Sequence, residues 1–181
     1  MNIEKEYLEL WNTISDINEH LPVLRKYAAE CDHVTEMGVR GVVSTYAFLT
    51  ARPKKLISYD IIDIKWKDIA EAVKEETEFI FIQGDTLTEI IDPTELLFID
   101  TLHNYTQLKE ELRLHAPSVS KYIIFHDTTT YAYIGESYEG NREIGLWPAI
   151  SEFLEENKEW NIKERLTNNN GLTIIEKTSN D

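Results

Sequence analysis

Only one cysteine, Cys31, occurs in 181 residues, so no internal disulfide can form. A reducing compartment suits such a chain, and a lone cysteine reads as a small buried residue before it reads as a nucleophile. Glycine is sparse at seven and proline at five. They form no Pro/Gly/Ser-rich linker, so nothing marks a division into domains. Basic residues are outnumbered 18 to 33, a net charge of −15. A surface of that sign repels phosphate backbones and anionic lipid, so neither nucleic acid nor membrane is expected as a partner. No apolar run reaches the roughly 20 residues that cross a bilayer. The first residues, Met1 to Glu6, contain no basic segment leading into an apolar core. No secretory signal is expected, and the expected location is the cytoplasm.

What is present is ordinary for a globular protein, with 42% hydrophobic and 28% charged residues. The expectation is one domain over 1–181, with N-terminal helices in 1–30 and a core of sheet and helices in 31–178. Ile3, Tyr7, Leu10, Trp11 and Ile14 recur at helical spacing, and a second helix begins near His20 with Pro22 in its first turn. The apolar positions of these helices suit covering the sheet or a second subunit, which leaves a homo-oligomer open. Beyond Cys31 the pattern alternates. Strands are predicted over 33–37, 55–60, 78–82, 96–99 and 122–125, with helices over 42–51, 66–73 and 105–114 between them. Continuous apolar runs such as Leu96-Leu97-Phe98-Ile99 mark strands buried on both faces, as in a parallel sheet between two helical layers. After a helix over 147–154, the alternation in 160–166, the Asn168-Asn169-Asn170-Gly171 turn and the run from Leu172 predict a closing antiparallel hairpin.

In an open parallel sheet, ligands bind beyond the carboxyl ends of the strands. Here those ends carry Glu36 and Gly38, Asp60, Asp85, Asp100 and Asp127. Gly38 and Gly41 let backbone approach a ligand just before a helix N-terminus, or serve only a tight turn. The carboxylate of Asp60 can accept both hydroxyls of a ribose, and Asp85 can lie near an adenine amino group; a loop acid and a helix cap are the plain alternatives. Asp100, His126 and Asp127 suit a hard divalent ion or a base acting on a hydroxyl, and His103 can be that base. Against this stand a helix cap for Asp100 and a structural histidine for His103. Strand side chains alternate, so one of His126 and Asp127 should face the cleft, unless the strand has already turned. The long stretch from Thr128 to Leu146, with Tyr131, Tyr133, Tyr138, Asn141 and Arg142, reads as a mobile lid over the acceptor.

These residues resemble a family. Glu36-x-Gly38-x-x-Gly41, Phe98-Ile99-Asp100-x-x-His103-x-Tyr105, Ile124-Phe125-His126-Asp127-Thr128 and the tail segments around Trp147 and Gly171 are similar to class I S-adenosylmethionine-dependent methyltransferases. The narrower likeness is to the cephalosporin-hydroxylase-like and sugar O-methyltransferase-like group. Arg40 stands where many methyltransferases have a further glycine, and His126-Asp127 where metal-dependent relatives often have two adjacent carboxylates.

The resemblance implies a Rossmann-like α/β fold, with a mostly parallel seven-stranded sheet in the order 3-2-1-4-5-7-6 and helices on both faces. It implies S-adenosylmethionine held by Glu36, Gly38, Gly41, Asp60 and Asp85, and catalysis by Asp100 and His103. It also implies Mg²⁺ or another divalent cation at Asp100, His126 and Asp127. The expected activity is methyl transfer to a hydroxyl of a small molecule or glycan, a sugar or natural product. The alternative is a non-catalytic ligand-binding protein that retains the fold. A nicotinamide-dependent oxidoreductase is disfavoured, because the G-x-G-x-x-G fingerprint is absent.

Overall fold

Seven strands make one sheet: β1 (His33–Met37), β2 (Lys55–Asp60), β3 (Glu78–Gln83), β4 (Thr94–Ile99), β5 (Val119–His126), β6 (Trp160–Leu166) and β7 (Leu172–Lys177). The helices are α1 (Ile3–Trp11), α2 (Leu21–Ala28), α3 (Val43–Ala51), α4 (Lys67–Val73), α5 (Tyr105–His115) and α6 (Leu146–Glu156). This is a computed structural model, and it describes residues 1–137 and 140–178. The strand order is β3-β2-β1-β4-β5-β7-β6, parallel except for β7, which runs antiparallel to both neighbours. The expected order and closing hairpin are both found.

Strand alternation divides the interior into two cores. Val34, Leu56, Phe79, Leu96, Phe98, Tyr122 and Ile124 point to one face, where α1 to α4 cover them. Met37, Ile57, Leu97, Ile99, Ile123 and Phe125 point to the other, under α5 and α6. Neighbouring strands keep this parity because their registers match, with Val34 beside Leu56 and Leu96, and Leu96 beside Tyr122. The helix α3 is buried along nearly its whole length, since α1 and α2 lie over it, although Leu8, Trp11 and Ile14 stay exposed. Among the described residues no helix is long and apolar enough to cross a membrane.

The element boundaries differ from expectation mainly at ends. The first helix stops at Trp11, not Ile14, because Asn12 and Thr13 turn back onto the carbonyls of Leu8 and Glu9. The segment that follows, Ser15 to His20, crosses to the β6–β7 turn. Glu19 N donates to Asn169 Oδ1 at 2.9 Å, and His20 Nε2 lies 3.0 Å from the carbonyls of Asn168 and Asn169. Asn169, Asn170 and Gly171 all have positive φ, as the Asn-Asn-Gly sequence leads one to expect.

The described residues of the long stretch after β5 form a flap that is hydrogen-bonded at its base. Tyr131 N–H donates to Asp127 O, Glu136 N–H to His103 O, Gly145 N–H to Tyr133 O and Leu146 N–H to Tyr131 O. Tyr105 N–H reaches Ile144 O from the start of α5, and Ile134 bridges Ile144. Tyr138 lies outside the described residues.

Candidate active site

The β1–α3 loop carries unusual backbone. Gly38 (φ 86°), Arg40 (41°) and Val42 (63°) all lie in the left-handed region. Such a conformation in a β-branched residue is costly and concentrates at functional sites. At Gly38 no side chain fits, because a Cβ there would collide with the carbonyl oxygen of Asp100. Gly41 faces more open space, with Val43 Cγ2 at 3.6 Å from where a Cβ would be. The helix α3 begins without a side-chain cap, which leaves its first amides facing the same loop.

Asp60 shapes that loop directly. One of its carboxylate oxygens accepts the N–H groups of Val39 and Arg40, both at 2.8 Å, and the other accepts Ile62 N–H at 2.9 Å. A carboxylate has about four acceptor positions, so capacity for a ligand hydroxyl remains. The Arg40 side chain turns away to Asp16 at 2.6 Å, which ties the loop to the N-terminal crossing segment. Asp85 is exposed after β3 and also accepts Leu87 N–H, so it is both a turn former and an accessible acid.

Glu36 is placed under the loop, not on a ligand-facing surface. Its side chain has the parity of Val34 and Phe98 and points toward α3, 0% exposed. It accepts hydrogen bonds from Ser44 (2.6 Å), Thr45 (2.8 Å) and Ser58 (2.5 Å). Three protein hydroxyls therefore occupy the Glu36 carboxylate, where the sequence reading expected cofactor contact. Burial pushes its carboxyl up to about 7, and the three hydroxyls offset that only in part.

A folded-state value above the ordinary 4.5 means that the folded protein holds this proton more tightly than the unfolded chain does. The contribution to stability is full below pH 4.5 and is lost as pH rises through 7. Comparing urea denaturation of Glu36→Gln with the wild type, the variant should gain about 3 kcal/mol relative to wild type between pH 4.5 and pH 8. Parallel pH profiles would disprove the assignment.

The densest polar cluster stands at the ends of β4 and β5. His103 Nε2 lies 2.8 Å from Asp127 Oδ2 and 3.2 Å from Asp100 Oδ1, and its Nδ1 lies 2.9 Å from Glu136 Oε2. Burial favours loss of the His103 proton, but the bonds to Asp100 and Asp127 outweigh it and hold the imidazolium well above its ordinary range. For both aspartates burial acts upward, and the two histidines outweigh it, so the carboxyls are held below the usual range. Tyr131 stacks parallel on the His103 ring at 4.7 Å.

The expectation that one of His126 and Asp127 faces the cleft is met by its stated exception. Asp127 has φ 61°, so the strand has already turned, and both side chains approach Asp100. His126 stays behind, buried against His20, with Nδ1 3.4 Å from Asp100 Oδ1. The ligand atoms of Asp100, His103 and Asp127 lie within 4.8 Å of one another, so His103 completes a three-ligand set more directly than His126. Asp127 Oδ1 is buried with no hydrogen-bond partner among the described residues, which fits a site built to receive a cation. A separate groove of about 1170 Å³ runs between α5 and α6, over Leu112, Phe153 and Trp160, and none of Asp100, His103 or Asp127 lines it.

Sequence reasoning missed Glu136 and the crossing segment with Asp16 and His20. Glu136 carries no motif, and only the position of its segment after Asp127 hinted at a role. The hydroxyl pair Ser44-Thr45 at the start of a helix was the legible sign that Glu36 would be bonded internally.

No protein-family model and no curated protein matches the chain. Solved structures do. The N-methyltransferase NodS from Bradyrhizobium japonicum WM9, in complex with S-adenosyl-L-homocysteine, superposes with a TM-score of 0.66 at 12% identity, covering 99% of this chain and 100% of that one. The 1,6-didemethyltoxoflavin-N1-methyltransferase of Burkholderia thailandensis, with bound 1,6-didemethyltoxoflavin and S-adenosylhomocysteine, gives 0.66 at 12% over 97% and 85%. A Staphylococcus aureus protein provisionally described as a caffeoyl-CoA O-methyltransferase gives 0.67 at 13% over 98% and 92%. At such identities the likeness is one of fold, and the fold of this chain is that of the Rossmann-like, S-adenosylmethionine-dependent methyltransferases.

Proposed function

We propose that the protein transfers a methyl group from S-adenosylmethionine to a hydroxyl of a small molecule, a sugar or natural product. The observation that carries this reading is the position of the Asp100–His103–Asp127 cluster. It stands at the ends of β4 and β5, beside the strained Gly38–Val42 loop at the end of β1. Gly38, Gly41, Asp60 and Asp85 would hold the cofactor, with Glu36 as the brace beneath them. When bound, the cofactor supplies an electrophilic methyl group on a sulfonium. The chain's own contribution is to align the acceptor oxygen and to take its proton.

Carboxylates at both ring nitrogens favour the protonated ring of His103, which would then orient the cluster and not begin as the base. Asp100 is the reachable acid. Its side chain is 24% exposed, and its contacts with both histidines fall on Oδ1. A carboxylate held below its usual range is a weak base, but it suffices, because a hydroxyl becomes strongly acidic as its oxygen gains a methyl group. Asp100, His103 and Asp127 would hold a divalent cation, which when bound would lower the pKa of a coordinated hydroxyl and ease loss of its proton. The location remains proposed as cytoplasmic.

Calorimetry with S-adenosylhomocysteine tests the reading. Binding to the wild type is expected, and Asp60→Ala should weaken it by roughly 1–3 kcal/mol through lost hydrogen bonds and a looser loop. No heat of binding to the wild type at millimolar ligand would overturn the assignment. A panel of free and nucleotide-linked sugars with radiolabelled cofactor then identifies the acceptor. Binding without transfer to any hydroxyl would favour a ligand-binding protein that keeps the fold.

A further inference from the structure

We propose that Glu136 is a positioning residue: from the flap, its carboxylate holds the Nδ1–H of His103 so that the Nε2 edge of the ring faces Asp100 and Asp127. The role rests on the reading of that cluster as the methyl-transfer site. Three contacts bring Glu136 to this place. Its backbone N–H donates to His103 O at 2.9 Å, its side chain meets His103 Nδ1 at 2.9 Å, and Gly135 before it is packed too closely against His103 O and Ile144 O to carry a side chain. Tyr131, from the same flap, covers the face of the ring at 4.7 Å and 3°. The flap therefore grips His103 by its backbone, its ring face and one ring nitrogen.

An imidazole has two distinct nitrogens, and the partner of one decides what the other presents. Asp100 and Asp127 already crowd Nε2, at 3.2 and 2.8 Å. A third carboxylate adds repulsion among anions, and Glu136 itself is 44% exposed, so burial does not force it there. Its effect is directional. With Nδ1–H committed to Glu136, a half-turn of the ring would break that bond and bring carbons, Cδ2 and Cε1, to the places that Nδ1 and Nε2 hold against the carboxylates. The flap thus couples its own docking to the orientation of His103.

The test is imidazole NMR on the full chain labelled with ¹⁵N-histidine, with His103→Gln used to assign the resonance. The wild type should show a His103 Nδ1–H proton that exchanges slowly with water. Glu136→Ala should lose that resonance, while Glu136→Gln, whose side-chain carbonyl can still accept, should keep it. A His103 Nδ1–H resonance that persists unchanged in Glu136→Ala, or is absent from the wild type, would overturn the proposal. Calorimetry with S-adenosylhomocysteine on the same samples keeps the two readings apart. Loss of ligand binding in the wild type would defeat the methyltransferase reading, and the resonance would still decide whether Glu136 holds His103.

Discussion

Gly38→Ala is expected to destabilise the protein by about 4 kcal/mol and to abolish binding of S-adenosylhomocysteine. Two costs add. The backbone there has φ 86°, a region in which a side chain costs of order 1–3 kcal/mol. The added methyl would also meet the carbonyl oxygen of Asp100 within van der Waals contact, and backbone cannot yield as a flexible side chain can. Overpacking of this kind typically costs a further 1–3 kcal/mol. For a chain of this length the melting temperature should fall by roughly 8–16 °C. Gly41→Ala is the internal control. Its added methyl meets only Val43 Cγ2 at 3.6 Å, an ordinary contact, so the change should be within about 1 kcal/mol. Equal melting temperatures for the two variants would show that the loop does not depend on the close approach at Gly38. The functional consequence follows from the same contact. Gly38 is where the β1 loop touches the end of β4, so displacing it separates the loop proposed to hold the cofactor from Asp100.

Much of this arrangement was legible from residue order. Runs such as Leu96–Ile99 and Tyr122–Phe125 announce strands covered on both faces, and the acids that end them fall on one edge because parallel strands share a direction. The Asn-Asn-Gly turn named its own positive φ values. The limits are equally physical. Periodicity shows which residues share a strand face but not which helix lies over it, so the enclosure of Glu36 by Ser44, Thr45 and Ser58 is visible only in the folded structure. Alternation along β5 puts His126 and Asp127 on opposite faces, and only the left-handed turn at Asp127 brings both to Asp100. Glu136 meets His103 across 33 residues of sequence. No local pattern encodes such a contact; it follows from how the flap packs.

Asp100→Asn is expected to reduce methyl transfer to the acceptor by about 10²–10⁴-fold, the usual contribution of a positioned base, while S-adenosylhomocysteine still binds. The amide keeps the shape of the carboxylate but cannot take a proton. His103→Gln should lose less, because in this structure the ring organises two carboxylates and does not start as a free base. A variant series in which His103→Gln loses as much as Asp100→Asn, or more, would move the base to His103. The metal is separable by the same assay. If a cation sits among Asp100, His103 and Asp127, chelator should abolish turnover and Mg²⁺ or Mn²⁺ should restore it. Asp127→Asn should then lose activity in parallel, since it would remove one of the three ligands. If chelator has no effect, the buried Asp127 serves only to hold His103, and Asp127→Asn should act through the orientation of that ring. The slope of transfer rate against pH tells the cases apart. A cation replaces the proton shared by His103 and the two aspartates, so activity should rise with pH as the metal gains its site. Without one, the rate should stay level until pH falls below the ordinary carboxylate range, where Asp100 finally takes up its proton.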